Sequence, residues 1–324
     1  LLTLKMLADW REFEHLMRQP GDPSVPIILC RDGRTITQAK SQSPDMRTAD
    51  YPVVRGQPAL IDFSCSLVRA EVLTASGMSL IRRRPNWLRI TKGWLFGTAN
   101  LSARNIVSFR DHILSHGIER PLVLMIGAAT RGAGTNGLYE TEAFRQIAFD
   151  IYPSAHTHFI ADAHQIPLAS GSVDGVCIQA ILEHVINPQQ VVSEISRVLR
   201  PGGIVYAETP FMQQVHEGAY DFTRFTEVGH RWLFRNFETI SRGALGGPGL
   251  SLYWAAKYFL RGITRSRRLG DILSLPFALA PLMDGMIGED HKIDGCNGAY
   301  FLGKLTETSI SLSNIVDEYR GAQR

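Results

Sequence analysis

Side chains able to do chemistry crowd two stretches of this chain. The first opens with LVLMIGAATRGAG, an apolar run that ends in small residues. The lack of bulk at Gly127, Ala128 and Ala129 lets backbone N–H groups and a following helix N-terminus approach a ligand. Asp150, followed by Ile151 in IAFDIY, falls near the roughly 20-residue spacing at which a carboxylate accepts from ribose hydroxyls. Asp162 and Ala163, in FIADAHQIP, come on the next loop, where the carboxylate is placed to accept from an exocyclic amine. One such loop is weak evidence, but the ordered set points to a nucleotide-type pocket.

The second stretch is PFMQQVHEGAYDFTRFTEVGHRWLF, from Pro210. It gathers His216, Glu217, Tyr220, Asp221 and Arg224, the inventory for general acid–base work, between the apolar Phe211, Met212, Phe222 and Phe225. His216 leads as a base, with Tyr220 and Asp221 as further catalytic candidates; Asp221 and Arg224 read equally well as a structural ion pair. A third place, Glu183-His184, offers only two adjacent ligands. That does not specify a divalent-metal site, so the pair reads as packing at a helix start and no metal is expected.

These residues need a scaffold, and the patterning supplies one. Strand-length apolar runs at Leu122 to Ile126, Ile147 to Phe149, Val173 to Ile178 and Ile204 to Ala207 alternate with helical periods, the signature of a parallel sheet with crossover helices. NPQQVVSEISRVLRPGG predicts a helix capped by Asn187, with Pro188 at its first position and Gly202 beyond its end. Its Val191, Val192, Ile195, Val198 and Leu199 share one face. Leu101, Ile106, Phe109 and Ile113 mark another helix, and Ala299 to Leu302 a closing strand.

Between Gly249 and that strand lie two apolar helical stretches around Arg261, Arg265, Arg267 and Arg268. Pro276, Pro281 and Asp284 leave the second too broken for a bilayer span of about 20 apolar residues. It reads as a packed insertion over residues 251–288, with a peripheral membrane contact through 252–287 or a greasy substrate lid as alternatives. Residues 1–77 comprise a short amphipathic helix and a Pro-, Gly- and Ser-rich, β-rich module. Residues 78–117 are a connecting helical region that carries Arg82, Arg83 and Arg84, and 309–324 form a polar tail.

The 324 residues allow two domains or one enlarged α/β domain. With 44% hydrophobic and 20% charged residues, disordered, collagenous and repeat classes are excluded. A net charge of +3 does not mark a bulk nucleic-acid binder. The 4 cysteines form no CxxC pair, so a reducing cytoplasm is expected, and the N-terminus lacks a signal-peptide pattern.

Gly127, Asp150, Asp162-Ala163, Ile166-Pro167, Gly171-Ser172-Val173-Asp174, Leu182-Glu183-His184-Val185 and Leu199-Arg200-Pro201-Gly202-Gly203 together resemble the class I S-adenosylmethionine-dependent methyltransferases, in the type 11 branch. The resemblance implies a Rossmann-like, doubly wound seven-stranded α/β sheet with its last strand antiparallel, over residues 118–308. It implies S-adenosyl-L-methionine as cofactor, with Gly127 to Ala129 beneath the methionine moiety, Asp150 on the ribose, Asp162 and Ala163 on adenine, and Gln179 facing the methyl-donor side. The usual GxGxG loop is replaced here by Gly127, Ala129 and Arg131. YPVVRGQPALI resembles part of a small zinc-ribbon module, with only Cys30 of its cysteines in place. The expected activity is methyl transfer to a small-molecule or lipid-linked acceptor, O-methylation favoured. A non-catalytic scaffold of the same fold and an RNA methyltransferase are the alternatives, the weak charge counting against nucleic acid.

Overall fold

A computed structural model of the chain describes residues 10–32, 35–42, 50–76, 98–132, 134–139 and 141–323. Arg82 to Arg84 lie outside these residues. Short strands β1 (Arg18–Gln19), β2 (Asp22–Asp32), β3 (Thr35–Ser41) and β4 (Asp50–Tyr51) form an antiparallel four-stranded sheet. The rest of the strands build one nine-stranded sheet: β5 (Val53–Val54), β6 (Gln57–Leu60), β7 (Leu122–Ile126), β8 (Arg145–Asp150), β9 (Phe159–Ala161), β10 (Val173–Gln179), β11 (Leu199–Pro210), β12 (Phe237–Leu245) and β13 (Gly298–Leu305).

The order is β12-β13-β11-β10-β7-β8-β9-β6-β5. Strands β7 to β11 run parallel, and β13 lies antiparallel between β11 and β12. The seven strands from β7 onward are the expected doubly wound sheet with an antiparallel closing strand. Two corrections apply. Phe159–Ala161 and Phe237–Leu245 are strands that the apolar runs did not announce. YPVVRGQPALI, expected in a separate module, instead extends the central sheet: β6 pairs parallel with β9 through Ala59↔Ile160 and Leu60↔Ala161.

Strand β7 is buried at every position, as a parallel strand covered on both faces must be. Alternation divides its side chains between two cores. Leu124 and Ile126 pack with Val191, Ile195 and Val198 of the helix Pro188–Val198, where Asn187 accepts the Gln190 N–H at 3.1 Å. Val123 and Met125 pack with Ile106, Phe109 and Ile113 of the helix Thr98–Leu114. The N-terminal residues join the first core: Phe13 and Met17 are fully buried, and Met17 bridges Leu168.

The insertion consists of the helix Pro248–Thr264, the short helix Arg267–Leu273, a 3-10 run Leu275–Met286 and the helix Glu289–Gly295. No single helix among the described residues is long and apolar enough to cross a membrane. The polar tail is held down, since Glu318 pairs with the buried Arg242 at 2.8 Å.

His230, on the helix Glu227–Leu233, is buried to 1% exposure against Phe234 and Phe301, and its Nε2 has no hydrogen-bond partner. Burial pushes its pKa from 6.5 down to about 3. The unfolded chain therefore takes up a proton below pH 6.5 that the fold refuses, so this contribution to stability is present above 6.5 and is lost as pH falls toward 3. The slope is at most about 1.4 kcal/mol per pH unit. Urea unfolding at pH 7 and pH 5 should show His230→Phe losing less stability between the two than the parent; equal losses would assign the acid sensitivity elsewhere.

Candidate active site

Beyond the carboxyl ends of β7, β8 and β10 the chain encloses a cavity of about 990 Å³. This is where open α/β sheets hold ligands, and the volume is that of a large small-molecule site. One end is built by the turn after β7. Gly127 adopts φ +77°, a conformation that favours glycine, and a Cβ there would lie 2.2 Å from Ile181 Cδ1. The Gly127 and Ala128 N–H groups donate to the Phe149 carbonyl at 3.0 and 3.1 Å, pinning the turn to β8.

Gly127, Ala128, Thr130 and Gly132 line the cavity, whereas Ala129 and Arg131 do not. Ala129 was expected to meet the ligand, but its N–H is taken by Asp150 Oδ2 at 2.8 Å. Arg131, at the last position of the altered glycine pattern, lies 5.1 Å over the ring of Tyr139. Asp150 is buried at the rim of β8 and lines the cavity together with Ile151.

Asp162 and Ala163 stand at the same end. Asp162 Oδ2 accepts from the Ser66 hydroxyl at 2.5 Å, and Oδ1 accepts from the His164 backbone at 3.0 Å and Nδ1 at 2.6 Å. Burial works to raise its carboxyl, and the bonds from His164 and Ser66 outweigh it, holding it below the usual carboxylate range. With about four lone-pair directions and three donors, one direction remains for a ligand amine. Leu67, Val68, Val72 and Leu73 complete this wall. They were missed in the sequence, where they read as part of the N-terminal β-rich module.

Gln179 lies in the middle, beside Ala180, whose φ of +51° turns the chain sharply after β10. Glu208, also missed, lines the floor; Tyr206 donates to it, and burial raises its carboxyl.

The far end is the segment after β11. His184, His216, Glu217 and Tyr220 line it. Asp221 does not, and its candidacy as a base is corrected by its partners. Its side chain is fully buried, Arg224 grips both oxygens, and the His216 N–H donates to Oδ2 at 2.8 Å. Although burial works to raise it, those bonds hold the carboxyl down at about 2. A carboxylate so held braces the loop and is too weakly basic to take a proton. Glu183, buried beneath His184, is the opposite case: burial pushes its carboxyl up to about 8, with only the Arg224 charge and local backbone pulling it back.

Residues 132–207 match the family model described as a methyltransferase domain. An uncharacterized chloroplastic methyltransferase of Arabidopsis thaliana is 43% identical over 65 residues, 20% of this chain and 17% of that protein. The bifunctional biotin biosynthesis protein BioHC of Cellvibrio japonicus is 32% identical over 81 residues, 25% of this chain and 16% of that protein. The chain thus spans under a fifth of the length of these relatives. Among solved structures, an S-adenosylmethionine-dependent methyltransferase from Archaeoglobus fulgidus overlays with TM-score 0.42 at 11% identity, covering 67% of this chain and 99% of that one. Geranyl diphosphate methyltransferase overlays at 0.42 and 11%, covering 64% and 86%.

Residues 132–207 thus resemble a methyltransferase domain, carried on a doubly wound sheet with an antiparallel closing strand, and the group to set against the cavity is S-adenosylmethionine. The residues fit that group: a turn that only a glycine closes, a buried carboxylate beside it, and an acceptor direction left on Asp162. Asp150→Ala should weaken S-adenosylhomocysteine binding by about 1–3 kcal/mol in titration calorimetry, the cost of losing hydrogen bonds to a charged group. An unchanged Kd would remove Asp150 from the ribose position.

Proposed function

We propose that this protein is an S-adenosylmethionine-dependent methyltransferase whose acceptor, a small or lipid-linked molecule, is methylated on oxygen at the Glu183–His184–His216 end of the cavity. The observation that carries the reading is continuity: one cavity is lined by Gly127, Asp150 and Asp162 at one end and by His184, His216 and Tyr220 at the other. When bound, S-adenosylmethionine supplies an electrophilic methyl group on a sulfonium.

The chain's own part is to align, to exclude water and to remove a proton. Gly127, Ala128, Asp150 and Ile151 hold the methionine and ribose, Asp162 and Ala163 the adenine, and Gln179 faces the donor side. His216 stands on the acceptor side with Tyr220 beside it. Arg224 and Asp221 position His216, because Arg224 also donates to the Gln213 and Thr223 carbonyls at 2.9 and 2.7 Å and so fixes the whole loop. The degenerate zinc-ribbon-like segment serves as a brace: β6 extends the sheet, and Ser66 beyond it holds Asp162.

The insertion supports a lipid-linked acceptor and contact with an anionic membrane surface. Phe259, Ile263, Leu269, Ile272, Leu279, Leu282, Met283 and Met286 are exposed on it, a concentration of apolar side chains of the kind that marks an interaction surface. Arg265, Arg267 and Arg268 are exposed among them, the mixture that binds anionic headgroups. Arg267 also lines the cavity, and Tyr258 donates to the Val215 carbonyl at 2.6 Å, beside His216.

His216→Ala should lower turnover on an acceptor pool by about a hundredfold or more with S-adenosylhomocysteine affinity intact; full turnover would clear His216 of any role. In flotation with anionic vesicles, the parent chain should rise with the lipid and a Leu279→Asp, Met286→Asp double variant should stay below. Equal flotation of the two would take the Leu275–Met286 run off the membrane.

A further inference from the structure

We propose that Glu183, His184 and His216 form a binding site for one divalent transition-metal ion at the acceptor end of the cavity. The three residues come from two segments: Glu183 and His184 from the 3-10 turn Leu182–His184 that follows β10, and His216 from the loop that follows β11. One ligand atom from each lies within 4.8 Å of the others. Glu183 Oε1 is 3.6 Å from His184 Nε2 and 3.9 Å from His216 Nε2. Ligands about 2.0–2.2 Å from a common ion sit somewhat closer together than this, so small side-chain shifts close the shell.

Two independent observations favour an ion over mere packing of polar groups. Glu183 has 0% exposure, and neither of its carboxylate oxygens has a hydrogen-bond partner among the described residues. A carboxyl group placed there without a donor is costly unless something positive is bound to it. Both imidazoles, moreover, turn Nδ1 elsewhere, His184 in a hydrogen bond and His216 toward a carboxylate. His184 Nδ1 lies 2.7 Å from the Tyr220 carbonyl, and His216 Nδ1 lies 3.3 Å from Asp221 Oδ2. Nδ1 held by a carbonyl or carboxylate leaves Nε2 as the free atom, which is the outer-shell arrangement of metal-bound histidines. Asp221 is itself clamped by Arg224, so the outer shell is rigid.

Two imidazoles and one carboxylate suit zinc, manganese, iron or cobalt, and disfavour calcium and magnesium, which take oxygen ligands. Three protein ligands leave coordination positions open. His184 and His216 line the cavity, so those positions face it, and a water or hydroxyl oxygen taking one becomes more acidic. The site does not require the methyl-transfer reading, since a metal can be bound whether or not a methyl group moves; with an ion on its Nε2, His216 acts as a ligand and not as the proton acceptor.

The test uses the full chain, stripped with a chelator and titrated with cobalt chloride while its visible absorption is followed, with zinc and manganese binding measured in parallel by equilibrium dialysis. The expected result is one ion per chain with a saturating cobalt spectrum. His216→Ala and His184→Ala should each weaken binding at least tenfold, and Glu183→Gln should do the same, while His291→Ala, on an exposed histidine remote in sequence, leaves it unchanged. Circular dichroism checks folding, and should Glu183→Gln fail to fold, the two histidine variants decide. No stoichiometric binding by the parent, or binding that survives in both histidine variants as an adventitious ion only, overturns the proposal. S-adenosylhomocysteine titration of the same samples reports separately on the cofactor pocket.

Discussion

The room for a ligand in this protein depends on one contact that lacks an atom. Strands β7 and β10 are neighbours, and the loops leaving their carboxyl ends part to opposite sides of the sheet, as at any point where a doubly wound sheet reverses its winding. Ile181, on the β10 side, presses into the place where Gly127 would carry a Cβ. With glycine at a positive φ the first turn stays tight, its N–H groups fold back onto β8, and the Asp150 carboxylate reaches the Ala129 N–H. The cavity is thus held open by backbone hydrogen bonds and one carboxylate. That explains how the loop tolerates Ala129 and Arg131 where a glycine-rich pattern is usual: neither side chain lines the cavity.

The two ends of the cavity handle charge in opposite ways. At the cofactor end each carboxylate is buried with donors aimed at it, and Asp162 is held ionised by Ser66 and His164. At the acceptor end the donors are spent on a different carboxylate, Asp221. Arg224 satisfies Asp221 and three carbonyls, while Glu183, equally buried, receives none of its hydrogen bonds. A fold seldom buries a carboxyl group bare, and where it does so beside two oriented imidazoles, binding explains the arrangement better than stability does.

Much of this was legible from residues alone, and the limits were physical. Strands such as Leu122–Ile126 announce themselves because a parallel strand buried on both faces must be apolar throughout. Phe159–Ala161 is only three residues long, and Phe237–Leu245 sits at the sheet edge with half its positions in partial contact with solvent, so neither leaves a clean apolar run. Asp150 and Asp162 could be read because spacing along one chain places them. His216 against Glu183 could not, since the pair is closed by the fold, and an adjacent Glu183-His184 carries no hint of a third ligand. The choice between Asp221 as a catalytic group and Asp221 as the partner of Arg224 stayed open in the sequence, because proximity along the chain says nothing about which of its neighbours grips it.

The acceptor end is also where this chain departs most from a bare sheet-and-helix scaffold. The lining around Gly127, Asp150 and Asp162 comes from the turns of the sheet itself, which any chain of this winding must make. The lining around His216 comes from the loop after β11 and, through Arg267, from the insertion before β13, and the two are tied together: Tyr258 bonds to the loop beside His216, and Arg267 lines the cavity from the basic start of the apolar segment. An exposed apolar and basic surface and a side chain that lines the cavity are therefore parts of one element. Movement of the insertion against an interface would bear on the His216 loop directly through a single hydrogen bond. In such a design the sheet builds one end of the cavity, and the loop after β11 with the insertion builds the other.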